Sequence, residues 1–252
     1  MKRKRRRSTA RVKLEDREAK AKSERRKQLL TAGTTVAALM FVGLLVFLGA
    51  QSRKGGGQVT TEVQDVETGV TEDGFPYQGS PDAPVKLVEY SDYLCGHCAN
   101  FALETEPRLI EEYVATGQVQ YIYHYYALQQ TLLAEASHCA ADQGHFWEYH
   151  RVMFASQSRF GSISTMEELQ ALLVEFAEQV GLDTSEFLTC WSSHRHQDAI
   201  IEAATSARED GVAYTPTFSI QGELLVGNQP YEVFQQTIEA SLAGEAGSKA
   251  GQ

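Results

Sequence analysis

The sequence predicts an α/β domain with an inserted helical subdomain, preceded by a single N-terminal transmembrane helix. Three observations lead there. An uncharged run, LLTAGTTVAALMFVGLLVFLGA from Leu29 to Ala50, stands behind a basic tail. A β-rich stretch, VKLVEYS at 85–91, runs directly into a Cys-Gly-His-Cys motif at the head of a helical pattern. A long helical stretch, roughly 130–208, then separates this unit from a late pair of strands.

Residues 1–28 hold fourteen Lys/Arg, six of them in KRKRRR, and four acids. That leaves nine of the 23 Lys/Arg and twenty-nine of the 33 Asp/Glu for the rest, so the net charge of −10 averages a basic tail and a strongly acidic remainder. As a helix, Leu29–Ala50 would span about 33 Å, enough for the hydrocarbon core of a bilayer. Lys/Arg-rich flanks stay inside, which predicts a single-pass cell-membrane protein with a cytoplasmic N-terminus and an extracytoplasmic C-terminal domain. A cleaved signal peptide is the competing reading, because LGA before Gln51 ends in a small residue. The apolar run is longer than the roughly 7–15 residues of such signals, which favours the anchor. With a span directly behind it, the basic tail is read as a topology signal with anionic lipid as its contact, and no nucleic-acid partner is expected.

Residues 51–83 are rich in Gly, Thr, Asp and Glu and poor in large apolar side chains, so a flexible linker is expected there. The remainder, 84–242, is one domain of ordinary size, and the small-residue end 243–252 reads as a flexible tail. Within the domain a strand at 85–91, a helix from about Cys95 to Val114 and a strand in QVQYIYHYYAL make a βαβ unit. In the insertion, MEELQALLVEFAEQV repeats apolar residues at spacings of three and four, with Gly181 as its stop. TPTFSIQGELLVGN then reads as two strands around Gly222, followed by a last helix starting near Pro230. Phe146, Trp147, Tyr149 and His150 are read as helical core rather than a ligand stripe, and YIYHYY as a strand rather than a stacking platform.

The four cysteines divide into two kinds. Cys95 and Cys98 form a CxxC pair, whereas Cys139 and Cys190 stand far apart. A structural zinc site wants a second close ligand pair, which these do not supply, so no metal is expected. A purely structural disulfide across two residues closes too short a loop to constrain the unfolded chain. A reactive dithiol remains. At the first turn of a helix Cys95 meets unsatisfied N–H groups and the positive end of the dipole, which favour thiolate, so Cys95 is the expected nucleophile. His97 could stabilise that thiolate further and make the disulfide more oxidising. Cys98, one turn deeper, is the expected resolving thiol, and Gly96 keeps the turn clear of side chains. Cys139 and Cys190 are expected to bridge each other, since an exported chain with an even count should leave no thiol free; a second redox relay is the alternative.

Glu89 lies six residues before Cys95 in a strand expected to be covered on both faces. Burial would raise its pKa and suit it to relay the proton of Cys98; a wet strand end is the plainer possibility.

The motifs GSPDAPVKLVEYSDYLCGHC, QGHFWEYHRVMF, VGLDTSEFLTC and GVAYTPTFSIQGELLVG, in that order, resemble the DsbA family of thiol:disulfide oxidoreductases. The resemblance implies a thioredoxin-like fold with a helical insertion, a cis-proline loop at Thr215 and Pro216 beside the redox pair, and an acid where Glu89 sits. It implies a membrane-tethered oxidase, without a cofactor, that donates the Cys95–Cys98 disulfide to reduced or unfolded secreted proteins. It further implies reoxidation by a quinone-linked membrane partner of the DsbB or VKOR type. Many such oxidases carry Pro-His between the cysteines, whereas Gly96-His97 here matches disulfide isomerases, so a reductase or isomerase is the nearest alternative. A non-catalytic peptide-binding chaperone module is the alternative of a different class.

Overall fold

A computed structural model of the chain describes residues 66–127 and 131–250. The basic tail, the expected transmembrane helix and most of the expected linker lie outside the described residues. Among the described residues no helix is long and apolar enough to cross a membrane.

The core is a six-stranded sheet in the order β1-β2-β4-β3-β5-β6. β3 (Val85–Ser91) and β4 (Val119–Tyr125) run parallel at its centre, in register from Val85 opposite Val119 to Ser91 opposite Tyr125. Parallel neighbours need a crossover, and a helical run over 96–114, α1, supplies it. β4 is buried along its whole length because strands flank both of its edges and helices cover its faces. On the other side of β3, β5 (Thr217–Ile220) is antiparallel, with Phe218 opposite Glu89 and Thr217 opposite Tyr90. β5 turns into β6 (Glu223–Val226) through Gln221 and Gly222, both at positive φ, which Gly222 adopts without a side-chain penalty.

The linker boundary differs from the sequence expectation. β1 (Thr68–Val70) and β2 (Pro76–Gln78) lie inside 51–83, and β2 pairs with β4, so the sheet begins well before residue 84. These three-residue strands lack the alternating run that marks a strand; the edge of β4 holds β2, and β2 holds β1. At the other end α8 (Tyr231–Ala250) continues through residues expected to be a frayed tail from 243. In α1 the backbone widens into π turns at Phe101–Thr105 and Ile110–Val114. Pro107 has no N–H to give the carbonyl four residues earlier, which accounts for the irregularity around the first of them.

Between β4 and β5 the insertion comprises α2 (Leu132–Ala141), α3 (Phe146–Ala155), α4 (Gln157–Phe160), α5 (Met166–Gln179), α6 (Thr184–Ser192) and α7 (Gln197–Glu209). Local sequence sets several of its boundaries. Thr165 and Glu168 form a reciprocal capping box at the start of α5, and Asp183 caps α6 through the N–H groups of Ser185 and Glu186. Cys139 in α2 and Cys190 in α6, with Cα atoms 5.9 Å apart, are joined as a disulfide. α3 carries the insertion onto the core: Phe146, Trp147, Tyr149 and His150 are buried, and the Trp147 indole N–H donates to the Tyr77 carbonyl at 3.1 Å.

Candidate active site

Two segments far apart in sequence meet at the C-terminal end of β3. β3 leads through Asp92–Leu94 into Cys95, and its antiparallel neighbour β5 starts at Thr217, opposite Tyr90. The loop just before β5, with a cis peptide bond between Thr215 and Pro216, is thereby held against the start of α1. The Cys95 thiol donates to the Thr215 carbonyl at 3.3 Å. Thr215 is partly buried and Pro216 buried.

Cys95 is the N-cap of α1, with extended backbone and a half-buried side chain whose sulfur accepts from the Cys98 N–H at 3.4 Å. Its pKa is pushed down to about 5. The main cause is hydrogen bonding from the Cys98 thiol, with Thr215 and the N–H groups of Cys98 and His97 adding to it against the opposing effect of burial. Cys98 is fully buried, and burial pushes its thiol far up, with the Cys95 sulfur and the Glu89 carboxylate acting in the same direction. One sulfur is thus accessible and easily ionised, while the other is enclosed and protonated. Neither is in a disulfide in this structure.

His97 is exposed, and its imidazole makes no hydrogen bond among the described residues. What it offers Cys95 is its backbone N–H. Gly96 is exposed at the first helical position; a Cβ there would find only the Gln157 amide oxygen, 3.9 Å away. Gln157, which the sequence reading missed, ties the insertion to the motif. Its amide group donates to the carbonyls of Tyr93 and Cys95, each at 2.9 Å. A glutamine in a one-turn helix carries no local signal of such a role.

Glu89 is completely buried, which settles the strand-end alternative against exposure. Burial pushes its pKa up to about 8, the charge of Glu106 adds to the rise, and hydrogen bonding from Tyr121 opposes it. The Tyr121 hydroxyl contacts carboxylate oxygens of both Glu89 and Glu106, the latter at 3.3 Å. His150 continues the series, with Nε2 at 3.3 Å from Glu106 and Nδ1 at 3.2 Å from the Tyr93 hydroxyl. This buried network was not foreseen, although Cys98, Ala102 and Glu106 follow at four-residue spacing, which puts a carboxylate on the inward face of α1.

An apolar groove of about 350 Å³ opens beside the motif, lined among others by Leu94, Leu133, Phe160, Ile163, Met166 and Leu169. Potential metal-ligating clusters in the described residues centre on His196. In one of them the sulfurs are already joined to each other; in the other the His138 and His196 rings stack at 3.8 Å and Asp142 is met by Arg195.

The thioredoxin family model matches residues 71–240. The chain belongs to the thioredoxin family. A probable disulfide bond formation protein D from Bacillus anthracis is 24% identical over 230 residues, covering 88% of this chain and 99% of that protein. The crystal structure of Wolbachia pipientis alpha-DsbA1 superposes with a TM-score of 0.62 at 22% identity, covering 71% of this chain and 96% of that one. That superposition shows a shared fold. Na(+)/H(+) antiporter NhaA 1 of Salinispora arenicola is 28% identical over 191 residues, which is 74% of this chain and 28% of the antiporter. The chain spans between 26% and 33% of the length of three such antiporter relatives.

Proposed function

We propose that this chain is a thiol:disulfide oxidoreductase working as an oxidase, a donor of the Cys95–Cys98 disulfide to reduced or unfolded secreted proteins. The observation that carries the proposal is the asymmetry of the dithiol. Cys95 caps a helix beside the cis-Pro216 loop with its pKa pushed down to about 5, and Cys98 is enclosed. Stabilising a thiolate stabilises the reduced pair, and a stabilised reduced form makes the disulfide a stronger oxidant.

In the reaction, a substrate thiolate attacks Cys95 Sγ, the S–S bond breaks, and Cys98 leaves with the bonding pair and gains a proton. A second substrate thiolate then attacks the substrate sulfur of the mixed disulfide and releases Cys95 as the stabilised thiolate. The substrate loses two electrons and the enzyme gains them. Thr215 and Pro216 line the approach to Cys95, Glu89 handles the Cys98 proton, and the groove from Leu94 to Met166 receives apolar side chains of an unfolded chain. Reoxidation falls to a quinone-linked membrane protein of the DsbB or VKOR type, as the DsbA resemblance implies. Leu29–Ala50 tethers the domain at the outer face of the cell membrane, and Cys139–Cys190 is a structural bridge.

Gly96, in place of the proline of many oxidases, favours a second reading as reductase or isomerase, with electrons flowing the other way through the same residues. Equilibration of the full chain with glutathione redox buffers distinguishes the two. A potential near −120 mV supports the oxidase, and one near thioredoxin's, about −270 mV, moves the protein to the reductase reading.

A further inference from the structure

Glu89 and Glu106 are both buried, and among the described residues no Lys or Arg pairs with either. The Tyr121 hydroxyl touches both carboxyl groups. A hydroxyl owns one proton. If it donates to one carboxylate, the other carboxyl must carry a proton of its own to donate to the phenol oxygen, or a buried charge is left facing a lone pair. The geometry therefore suits one acid and one carboxylate sharing Tyr121.

The two sides are not equivalent. Glu106 Oε2 is met by a second donor position, His150 Nε2 at 3.3 Å. The Tyr93 hydroxyl, 3.2 Å from Nδ1, can donate there and leave the ring proton on Nε2, facing Glu106. No second hydrogen bond reaches Glu89: its Oε1 and the neighbouring Ser91 Oγ are both buried without a hydrogen-bond partner. Donors favour the charged form of a carboxyl, and their absence favours the neutral one. We propose that Tyr121, Glu106 and His150 are positioning residues that lodge one shared proton on Glu89, the carboxyl acting on Cys98, with Glu106 as its ionised counterpart.

The proton balance of exchange follows. When Cys98 leaves with the S–S bonding pair, the thiolate takes the proton of Glu89. The Tyr121 hydroxyl then turns from Glu106 to the new Glu89 carboxylate, and Glu106 keeps the hydrogen bond from His150, until Glu89 takes a proton back from solvent and the reduced chain again holds the acid, the state of this structure. On reoxidation Glu89 gives that solvent proton up and accepts the one that Cys98 loses as it becomes the attacking thiolate. The groups facing Glu89 are Tyr121 and Tyr123 from β4, Glu106 and Cys98 from α1, Tyr93 and Cys95 from the loop before it, and Ser91 from its own strand. None is a cation, so no fixed positive charge competes for Glu89. The use of this proton in exchange rests on the oxidoreductase reading; its location does not.

Infrared spectroscopy of the full chain, labelled with 13C-glutamate and kept in detergent, tests the location without turnover. A buried protonated-carboxyl band is expected at pH 7. It should vanish in Glu89→Gln and persist in Glu106→Gln, with its midpoint about one pH unit or more lower once the like charge is gone. Adding His150→Phe to Glu89→Gln should restore part of the band, because Glu106 then loses its second donor. No band in the parent, or a band lost in Glu106→Gln and kept in Glu89→Gln, would overturn the assignment. A band still absent in the double variant would remove His150 from it. If a variant does not fold, the parent spectrum alone decides between one shared proton and two carboxylates. Failed exchange with the band intact would count against the oxidoreductase reading instead.

Discussion

Replacing Glu89 by Gln should change how the stability of the reduced protein depends on pH. The carboxyl is raised from 4.5 to about 8 in the folded chain, so the folded state holds a proton that the unfolded chain releases above pH 4.5. A raised folded pKa gives a contribution fully present below 4.5 and lost as pH rises through 8. At about 1.4 kcal/mol per pH unit, that interval corresponds to roughly 5 kcal/mol as an upper-end figure. Cys95 acts with the opposite sign. Its pKa is lowered from 9.0 to about 5, so its contribution is present above 9 and lost as pH falls through 5. In the parent the two effects overlap and partly cancel, which hides both. Glu89→Gln keeps the shape, carries no charge and leaves the Cys95 effect alone. Relative to their difference at pH 4, the variant should gain several kcal/mol over the parent by pH 8. Urea unfolding of both reduced proteins at pH 4, 6 and 8, followed by the fluorescence of Trp147 and Trp191, measures this directly. Parallel stability curves would refute the reasoning, since they would mean that Glu89 titrates alike in the folded and unfolded chains.

Replacing Cys139 and Cys190 together by Ala opens a bridge spanning 51 positions and should cost roughly 4 kcal/mol in the chain-entropy account. Urea unfolding should report that loss while thiol exchange at Cys95 is retained. Gln157→Ala removes the donor to two carbonyls and should cost about 1–3 kcal/mol, with faster hydrogen exchange of the amides around Cys95 as its local signature. For His97→Ala, the thiolate absorbance of Cys95, expected to titrate near pH 5 in the parent, should move by less than about one pH unit. The backbone N–H at 97 survives the substitution, and a larger shift would return the role to the imidazole.

The parts of this protein that were legible in its sequence are those that local chemistry specifies. β3 ends where the alternation of VKLVEYS ends, and α1 starts where a cysteine can cap it. The Gln221-Gly222 turn carries its own signal. β1 and β2 were missed because three residues hold no period, and only tertiary pairing, β2 on the edge of β4 and β1 on β2, selects them. The cis bond before Pro216 was available only through family resemblance, because isolated sequence strongly favours trans. The carboxylate network was invisible for another reason. Tyr121 is 32 residues from Glu89, and His150 is 44 from Glu106, so only the packing of α1 and α3 against the sheet creates the contacts. For His97 the motif names a side chain, whereas the contact with Cys95 in the structure is from the main chain.

The unequal access of the two sulfurs has a kinetic consequence. With Cys98 sealed inside and Cys95 alone reaching the surface, every thiol or disulfide that exchanges electrons with this chain must meet the same atom. Donor and acceptor cannot dock at once. They take turns, and the reduced chain has to shed one partner before it can engage the other. Turnover in such a scheme follows ping-pong kinetics, with each partner a competitive inhibitor of the other's half-reaction at high concentration.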